Sequence, residues 1–445
     1  MSEQEFLPLE VSIPNEAGWP KKTLDELCSM ISRGTAPVYV EGSSVLAIGQ
    51  RCVTTSRFVP EFARPHADRA MRNVLRPESG DVLLNSTGTG TIGRSVVFDH
   101  DGAFIVDGHV TVLRPRAEAA DGRWLNAVLR TSWGQSHLER FCYAGSTNQL
   151  ELSRKPVKAS VLPVPTVQEQ QGIAQILDIF DTAIRETEAL IDKLKTVKQG
   201  LLQDLLTRGI DSNGQLRPSQ RQAPELYKAS PLGWIPKEWS WDTLDHWLTG
   251  KPKNGYSPKE AGEWTGIQML GLGCLTKEGF LPTQLKPAPA ADKGLDKARL
   301  NDGDLLVSRA NTRELVGLVG VYRDVGTPCT YPDLMMRLLP SEETSAEFLE
   351  LVLQSNKVRR QVQASASGTS ESMVKISSSI VTSLKVAIPR TNEQIAILCR
   401  TKTLNAQLQS ELQGLEVLRG VKEGLMDDLL SGRVRVTPLL DLCSK

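Results

Sequence analysis

The sequence lacks most of the short motifs that announce chemistry. Its 445 residues hold only five histidines, His66, His100, His109, His137 and His246, and none stands at metal-ligand spacing from another. There is no P-loop, no H-E-x-x-H and no Asp/Asn-Pro-Pro-aromatic segment, so no catalytic constellation and no resident metal or cofactor can be read from it. The seven cysteines (Cys28, Cys52, Cys142, Cys274, Cys329, Cys399, Cys443) are scattered without a C-x-x-C pair. Such a set reads as reduced thiols in a cytoplasmic protein. Net charge is also missing: 52 Lys+Arg balance 52 Asp+Glu. This gives no general attraction to nucleic acid, yet a local basic face is compatible with a neutral total. No apolar run approaches the length of a membrane span. The acidic, polar start MSEQEFLPLE is no signal peptide. Hydrophobic content of 40% and charged content of 23% suit a soluble globular chain, long enough for two to four domains.

What the sequence has instead is a copy of itself. Pro165, Glu169-Gln170, Val197-Lys198, Gly200-Leu201 and Asp204-Leu205-Leu206 recur as Pro389, Glu393-Gln394, Val421-Lys422, Gly424-Leu425 and Asp428-Leu429-Leu430, all at an offset of 224. A helix can begin only after each proline. Each copy then carries an apolar stripe in a 4-3-4-3 rhythm, the period of a coiled-coil seam. The first stripe is Ile173, Leu177, Phe180, Ile184, Ile191, Leu194, Leu201 and Leu205, interrupted at Thr187 and Lys198. The second is Ile397, Leu404, Leu408, Leu415, Leu418, Leu425 and Leu429, interrupted at Thr401, Glu411 and Lys422. Helices of this length exceed the core of one small domain. Two with matching seams most simply bury them against each other.

The repeat extends into the intervening regions. Trp19 and Thr23-Leu24-Asp25 match Trp239 and Thr243-Leu244-Asp245, and Gly80–Leu84 matches Gly303–Val307. Val110–Pro115 matches Met335–Pro340, and the helical pattern at Trp124–Cys142 matches Phe348–Val362. Short apolar runs broken by Gly, Pro and Asp predict strands. The expected fold is therefore α+β: globule, long helix, linker, globule, long helix. The predicted boundaries are 1–165 and 233–389 for the globules, 166–208 and 390–433 for the helices, 209–232 for a polar linker, and 434–445 for a tail. Val434 and Val436 are candidates for one extra strand.

Gly88-Thr89-Gly90-Thr91-Ile92-Gly93 satisfies G-x-G-x-x-G, but a dinucleotide site needs a helix to open after it. Arg94-Ser95-Val96-Val97-Phe98 follows and reads as a strand. A glycine-rich hairpin connection, whose backbone can approach a ligand surface closely, fits better. His109, beside an apolar run, reads as a packed or surface histidine. Asp81 and Asp304 read as turn residues. Arginines including Arg51, Arg57, Arg64 and Arg94 stand among Thr, Ser, Asn and Gln, which suits phosphate and base-edge contacts. The candidate DNA-contact residues are Thr87, Thr89, Arg94, Ser146, Thr147, Asn148 and Gln149 in the first globule. Those in the second are Arg309, Asn311, Arg313, Thr369 and Ser370.

The order of these features resembles the specificity subunit of type I restriction–modification enzymes over nearly the whole chain. The resemblance is carried by two globules, each opening near an Ile-Pro and a Trp-x-x-x-Thr-Leu-Asp segment. Each contains a Gly-Asp-(apolar)3 turn and ends in P-x-x-x-Glu-Gln. The S-T-G-T-G-T-I-G run before Arg94 adds to it, and Ser308-Arg309-Ala310-Asn311 departs from it. The resemblance implies two target-recognition globules in tandem, each reading half of a split, asymmetric site on double-stranded DNA. It implies long helices pairing as an antiparallel coiled coil with pseudo-two-fold symmetry. Two modification subunits would dock on them and methylate adenine with S-adenosylmethionine. Motor–nuclease restriction subunits would use ATP and Mg. None of these activities or cofactors would belong to this chain, and no membrane is involved. A coiled-coil scaffold without DNA readout is the competing interpretation, and a nucleotide-binding enzyme using Gly88–Gly93 is another.

Overall fold

The structure, a computed structural model, describes residues 13–68, 73–145, 150–259, 261–368 and 373–436. The chain divides into two compact units, Met1–Leu190 with Glu411–Lys445, and Ile191–Ser410. The division falls inside the long helices, Val167–Leu205 and Thr391–Ser431, not at their ends.

In the first unit, Cys28–Arg33, Val110–Pro115, Val82–Asn85 and Ser95–Val97 form an antiparallel sheet in that order. A three-stranded sheet holds Arg64–Pro65, Val45–Ile48 and Ala103–Val106, the last two parallel. The run Val82-Leu83-Leu84 is apolar without alternation because both its faces are covered. Val82 and Leu84 join the cluster of Trp19, Leu24 and Trp124, while Leu83 joins that of Ile48, Phe58 and Phe104.

The second unit repeats this topology. Lys253–Asn254, Met335–Leu338, Leu305–Ser308 and Val319–Val321 form its four-stranded sheet. Leu285–Pro287, Gln268–Leu270 and Cys329–Thr330 form its three-stranded sheet. Leu305 and Val307 again face one cluster and Leu306 another. Asp81 and Asp304 do more than turn the chain. Asp81 is 1% exposed and takes two hydrogen bonds from Arg114, at 2.9 and 2.8 Å. Arg337 donates to Asp304 at 2.9 Å in the same way.

The Pro-x-x-x-Glu-Gln motif is a joint between globule and helix. Gln170 Nε2 donates to the carbonyls of Pro165 and Ala119, and its Oε1 accepts Asp121 N–H. Gln394 Nε2 donates to Pro389 and Glu343, and its Oε1 accepts Thr344 Oγ1–H. The preceding glutamate receives an arginine that follows a long helix. Arg435 reaches Glu169 in the first unit, and Arg217 reaches Glu393 in the second at 2.5 and 3.0 Å.

Within the first unit the two helices run antiparallel, since Asp181 meets Lys422 at 2.5 Å and Glu188 meets Arg419 at 2.6 Å. Ile173, Leu177, Leu415 and Leu429 are buried there, and Phe180, Ile184, Leu418 and Leu425 are half-buried. In the second unit Ile191, Leu194, Leu205, Ile397 and Leu408 are buried, and Leu201 and Leu404 are half-buried.

Two local expectations fail. The segment 209–232 is no loose linker. Ile210 and Tyr227 are 3% and 4% exposed, Arg217 is 5% exposed, and Tyr227–Ser230 pairs with Gly233–Pro236 as a hairpin. The polar composition misled because polar side chains satisfy the segment's own carbonyls, Arg208 that of Arg217 and Tyr227 that of Pro218. Val434 and Val436 form no strand. Val434 is exposed, and Val436 instead packs into the cluster of Trp19.

Candidate nucleic-acid interface

In each unit one end of the four-stranded sheet gathers the loops singled out by sequence. In the first unit this end carries the exits of Cys28–Arg33 and Val82–Asn85 and the entries of Val110–Pro115 and Ser95–Val97. The glycine run lies between Val82–Asn85 and Ser95–Val97, paired strands of a hairpin, so it opens no helix. Gly88, Gly90 and Gly93 have φ of 95°, 80° and 84°. A Cβ on Gly93 would stand 2.2 Å from Tyr143 Oη, so the loop needs glycine there both for backbone and for space.

The loop is built from inside. Thr87 is 8% exposed, and its Oγ1 accepts Gln50 Nε2–H and lies 2.8 Å from His109 Nδ1. Arg94 Nη2 donates to the Gly90 carbonyl at 2.6 Å, and Gln135 Nε2 to that of Gly93 at 2.9 Å. Thr89 is the exposed member at the tip. Thr87 therefore supports the loop, Thr89 presents it, and Arg94 braces it.

A second loop meets the first. Tyr143–Ala144 pairs with Glu151–Leu152, Leu152 N–H donates to the Ser86 carbonyl at 2.7 Å, and Arg33 binds Glu151 at 3.0 Å. Ser146, Thr147, Asn148 and Gln149 lie outside the described residues, but both flanks of their loop sit at this end. Gln50 and Glu151 bond across this junction, and sequence reading missed them. Their partners are tens of residues away and no pattern marks them.

The second unit builds the same end from other side chains. Ala310–Asn311 pairs with Val374–Lys375, and Ile376 N–H donates to the Arg309 carbonyl. Thr369 and Ser370 lie outside the described residues. Arg309 is half-buried and reaches the Asp333 carbonyl at 3.4 Å. Asn311 Oδ1 accepts Thr312 N–H at 2.8 Å. Arg313 donates to the carbonyls of Gln363 and Ala366, at the end of the helix Asn356–Ser365.

Arg94 and Arg309 are not counterparts. Asn85 N–H donates to the Arg94 carbonyl, and Ser308 N–H donates to that of Leu318, so Leu318 holds the place of Arg94. Arg309 holds the place of Ser86, since their N–H groups bind Leu334 and His109 carbonyls respectively. The two arginines stand at opposite ends of equivalent loops.

One buried trio imitates a catalytic site. Ser160 Oγ lies 2.7 Å from His137 Nε2, and Cys142 Sγ lies 3.7 Å from Ser160 Oγ. All three are at most 4% exposed. Burial pushes the His137 imidazole down to about 4 and the Cys142 thiol up to about 11. A sealed, neutral trio without an acid behind the histidine is core packing, not a nucleophile and base. Among the described residues no group of three or more His, Cys, Asp or Glu could hold a metal, and no helix is long and apolar enough to cross a membrane.

Residues 72–196 match the family model of the type I restriction modification DNA specificity domain. They hold the glycine loop and the joint at Glu169-Gln170. Over these residues the chain is similar to this DNA specificity family. The MjaVIII specificity subunit of Methanocaldococcus jannaschii is 24% identical over 290 residues, covering 62% of this chain and 63% of its own length, under two thirds of that relative. The putative MjaX specificity subunit of the same organism is 24% identical over 365 residues, covering 80% and 79%. The EcoKI specificity subunit of Escherichia coli is 24% identical over 247 residues, covering 55% and 50%. Among solved structures, a chain of a type I R-M system has a TM-score of 0.55 at 16% identity, over 96% of this chain and all of that one. An S subunit from M. genitalium has a TM-score of 0.53 at 14% identity, over 95% and 98%. These likenesses concern the fold, which mixes helix and strand as in this chain.

Proposed function

We propose that this chain is the non-catalytic DNA-recognition subunit of a type I restriction–modification complex. One observation carries this interpretation. The same end of the same sheet appears in both units, and it bears unrelated loops, a braced glycine hairpin in one and the Arg309–Arg313 loop in the other. A shared scaffold with different loops suits two readers of different DNA sequences, one per half-site. Loop backbone and small polar side chains would approach the base edges, with neighbouring cations on phosphates. The long helices would pair antiparallel along their seams, relate the two halves by a pseudo-two-fold axis and set the gap between half-sites. Two modification subunits would dock on the helices and supply methyl transfer with S-adenosylmethionine. Restriction subunits would supply ATP-driven translocation and cleavage with Mg.

The test is a methylation map of cells that carry this chain with its modification subunit. A bipartite, asymmetric target is expected. Replacing residues 309–317 with the equivalent loop of a relative should change one half of the target and leave the other intact. A change in both halves, or none, would refute one reader per globule. The purified chain alone should transfer no labelled methyl group to DNA.

A further inference from the structure

Two arginines of the first unit lie against aromatic rings. The guanidinium carbon of Arg51 is 4.7 Å from the Phe62 centroid, and that of Arg64 is 3.6 Å from the Tyr39 centroid. Both arginines are exposed, and Phe62 and Tyr39 are 44% and 39% exposed. Neither arginine has a carboxylate partner among the described residues. Glu41 and Glu61 are exposed nearby in sequence, yet neither pairs with them.

The stacks are fixed from beneath. Tyr39 Oη–H donates to Asp107 Oδ2 at 2.9 Å, and its segment is bonded to the next strand through Val40 N–H to Pro65 and Ala67 N–H to Val38. Phe62 ends the turn Pro60–Phe62, and Arg51 lies in the turn Gln50–Cys52. The same groups run on to the glycine loop. Asp107 Oδ1 accepts His109 N–H at 3.1 Å, His109 meets Thr87, and Thr87 accepts from Gln50. The stacks and the loop are therefore held in one hydrogen-bonded frame.

A guanidinium held on a ring keeps its charge and turns its N–H edge outward, and little side-chain freedom remains to be lost on binding. Two such cations without carboxylates suit a ligand that brings its own negative charges. We propose that Arg51 on Phe62 and Arg64 on Tyr39 form a clamp for two backbone phosphates of double-stranded DNA, beside the half-site met by the glycine loop. This rests on the interpretation of the chain as a DNA-recognition subunit. Exposed Val38 and Val40 flank the clamp and would suit a protein partner instead. The shared frame with the glycine loop favours DNA.

The experiment uses the full chain assembled with its modification subunit, and a duplex carrying the mapped target. Affinity is measured across a salt series for wild type, R51Q, R64Q and R51Q/R64Q, with thermal melts to confirm folding. Each single change should make the slope of log affinity against log salt shallower by about 0.9, and the pair by about 1.8. The pair should bind roughly sixtyfold more weakly near 0.1 M salt, with the methylated sequence unchanged. R51K/R64K, which keeps the charge, should restore most of the slope. An unchanged slope for R51Q/R64Q beside a specific wild type overturns the clamp alone. A shifted methylated sequence overturns backbone contact in favour of base readout. Loss of the modification subunit with the slope intact assigns the surface to a protein. No specific binding by the wild-type assembly would overturn the DNA interpretation itself.

Discussion

Glu393 stands where three parts of the second unit meet. It accepts Arg217, Trp239 Nε1–H at 3.1 Å and Ile210 N–H at 2.8 Å. The Arg217 side chain is 7% exposed and that of Glu393 is 11% exposed. Glu393→Ala should therefore leave the buried Arg217 guanidinium with only Glu238 and the Arg208 carbonyl as partners and cost roughly 3 kcal/mol in denaturant melts. A loss within the scatter of surface substitutions would show that the joint is not tied by this pair. Glu350 behaves in the opposite sense. Burial against the strand Val319–Val321 pushes its carboxyl up to about 7, and only Val321 N–H and the charge of Arg323 favour the anion, while Glu347 opposes it. Its folded pKa lies above its unfolded one, so the native state binds the extra proton. Stability from this group is present below about 4.5 and is lost as pH rises toward about 7. Glu350→Gln keeps the acceptor for Val321, so its melting midpoint should fall less than that of wild type from acid to neutral pH. Parallel midpoints would contradict the shift.

At the scale of elements, the seam is the part most legible in the sequence. Its residues are buried or half-buried in each unit, while Ile179 between them is 67% exposed. Ile173→Ala and Ile397→Ala should each cost about 2–5 kcal/mol. Ile179→Ala should change stability by under about 0.5 kcal/mol, and equal losses at all three sites would deny the stripe its role. A period of 3.5 repeated over nine turns survives in any sequence that keeps it, which is why it reads so plainly. The strands were legible because Gly-Asp turns precede runs buried on both faces. The interface was less so. Thr87 and Arg313 are candidate contacts because their chemistry suits bases and phosphates, and the sequence gives no sign of the partners the fold adds, His109 and the carbonyls of a helix end. Arg51 gave no hint of Phe62, eleven positions on, because stacking depends on two turns that periodicity does not reveal. The Lys198 and Lys422 slots look alike in sequence, yet Lys422 is buried on Asp181 and Lys198 is only half-buried.

At the scale of the molecule, the proposal that the helices set the gap between half-sites has a direct test. One Leu-seamed heptad inserted after Lys195 and another after Arg419 keeps both seams in register. It lengthens each helix by ~10 Å, equal to at most ~3 bp along DNA. The methylation map should show the same two half-sites with a longer gap; an unchanged gap would remove the helices as the ruler. The division of the chain into units carries a different consequence, one of timing. The first unit begins at the amino end but contains Glu411–Lys445, and Leu429 and Leu430 share a cluster with Trp19 and Ile173. The second unit, Ile191–Ser410, is complete earlier. On a ribosome making about 5–20 residues per second, the stripe of Ile173 and Leu177 must wait on the order of 10–50 s for the segment that covers it. The globule synthesised first is thus the one finished last.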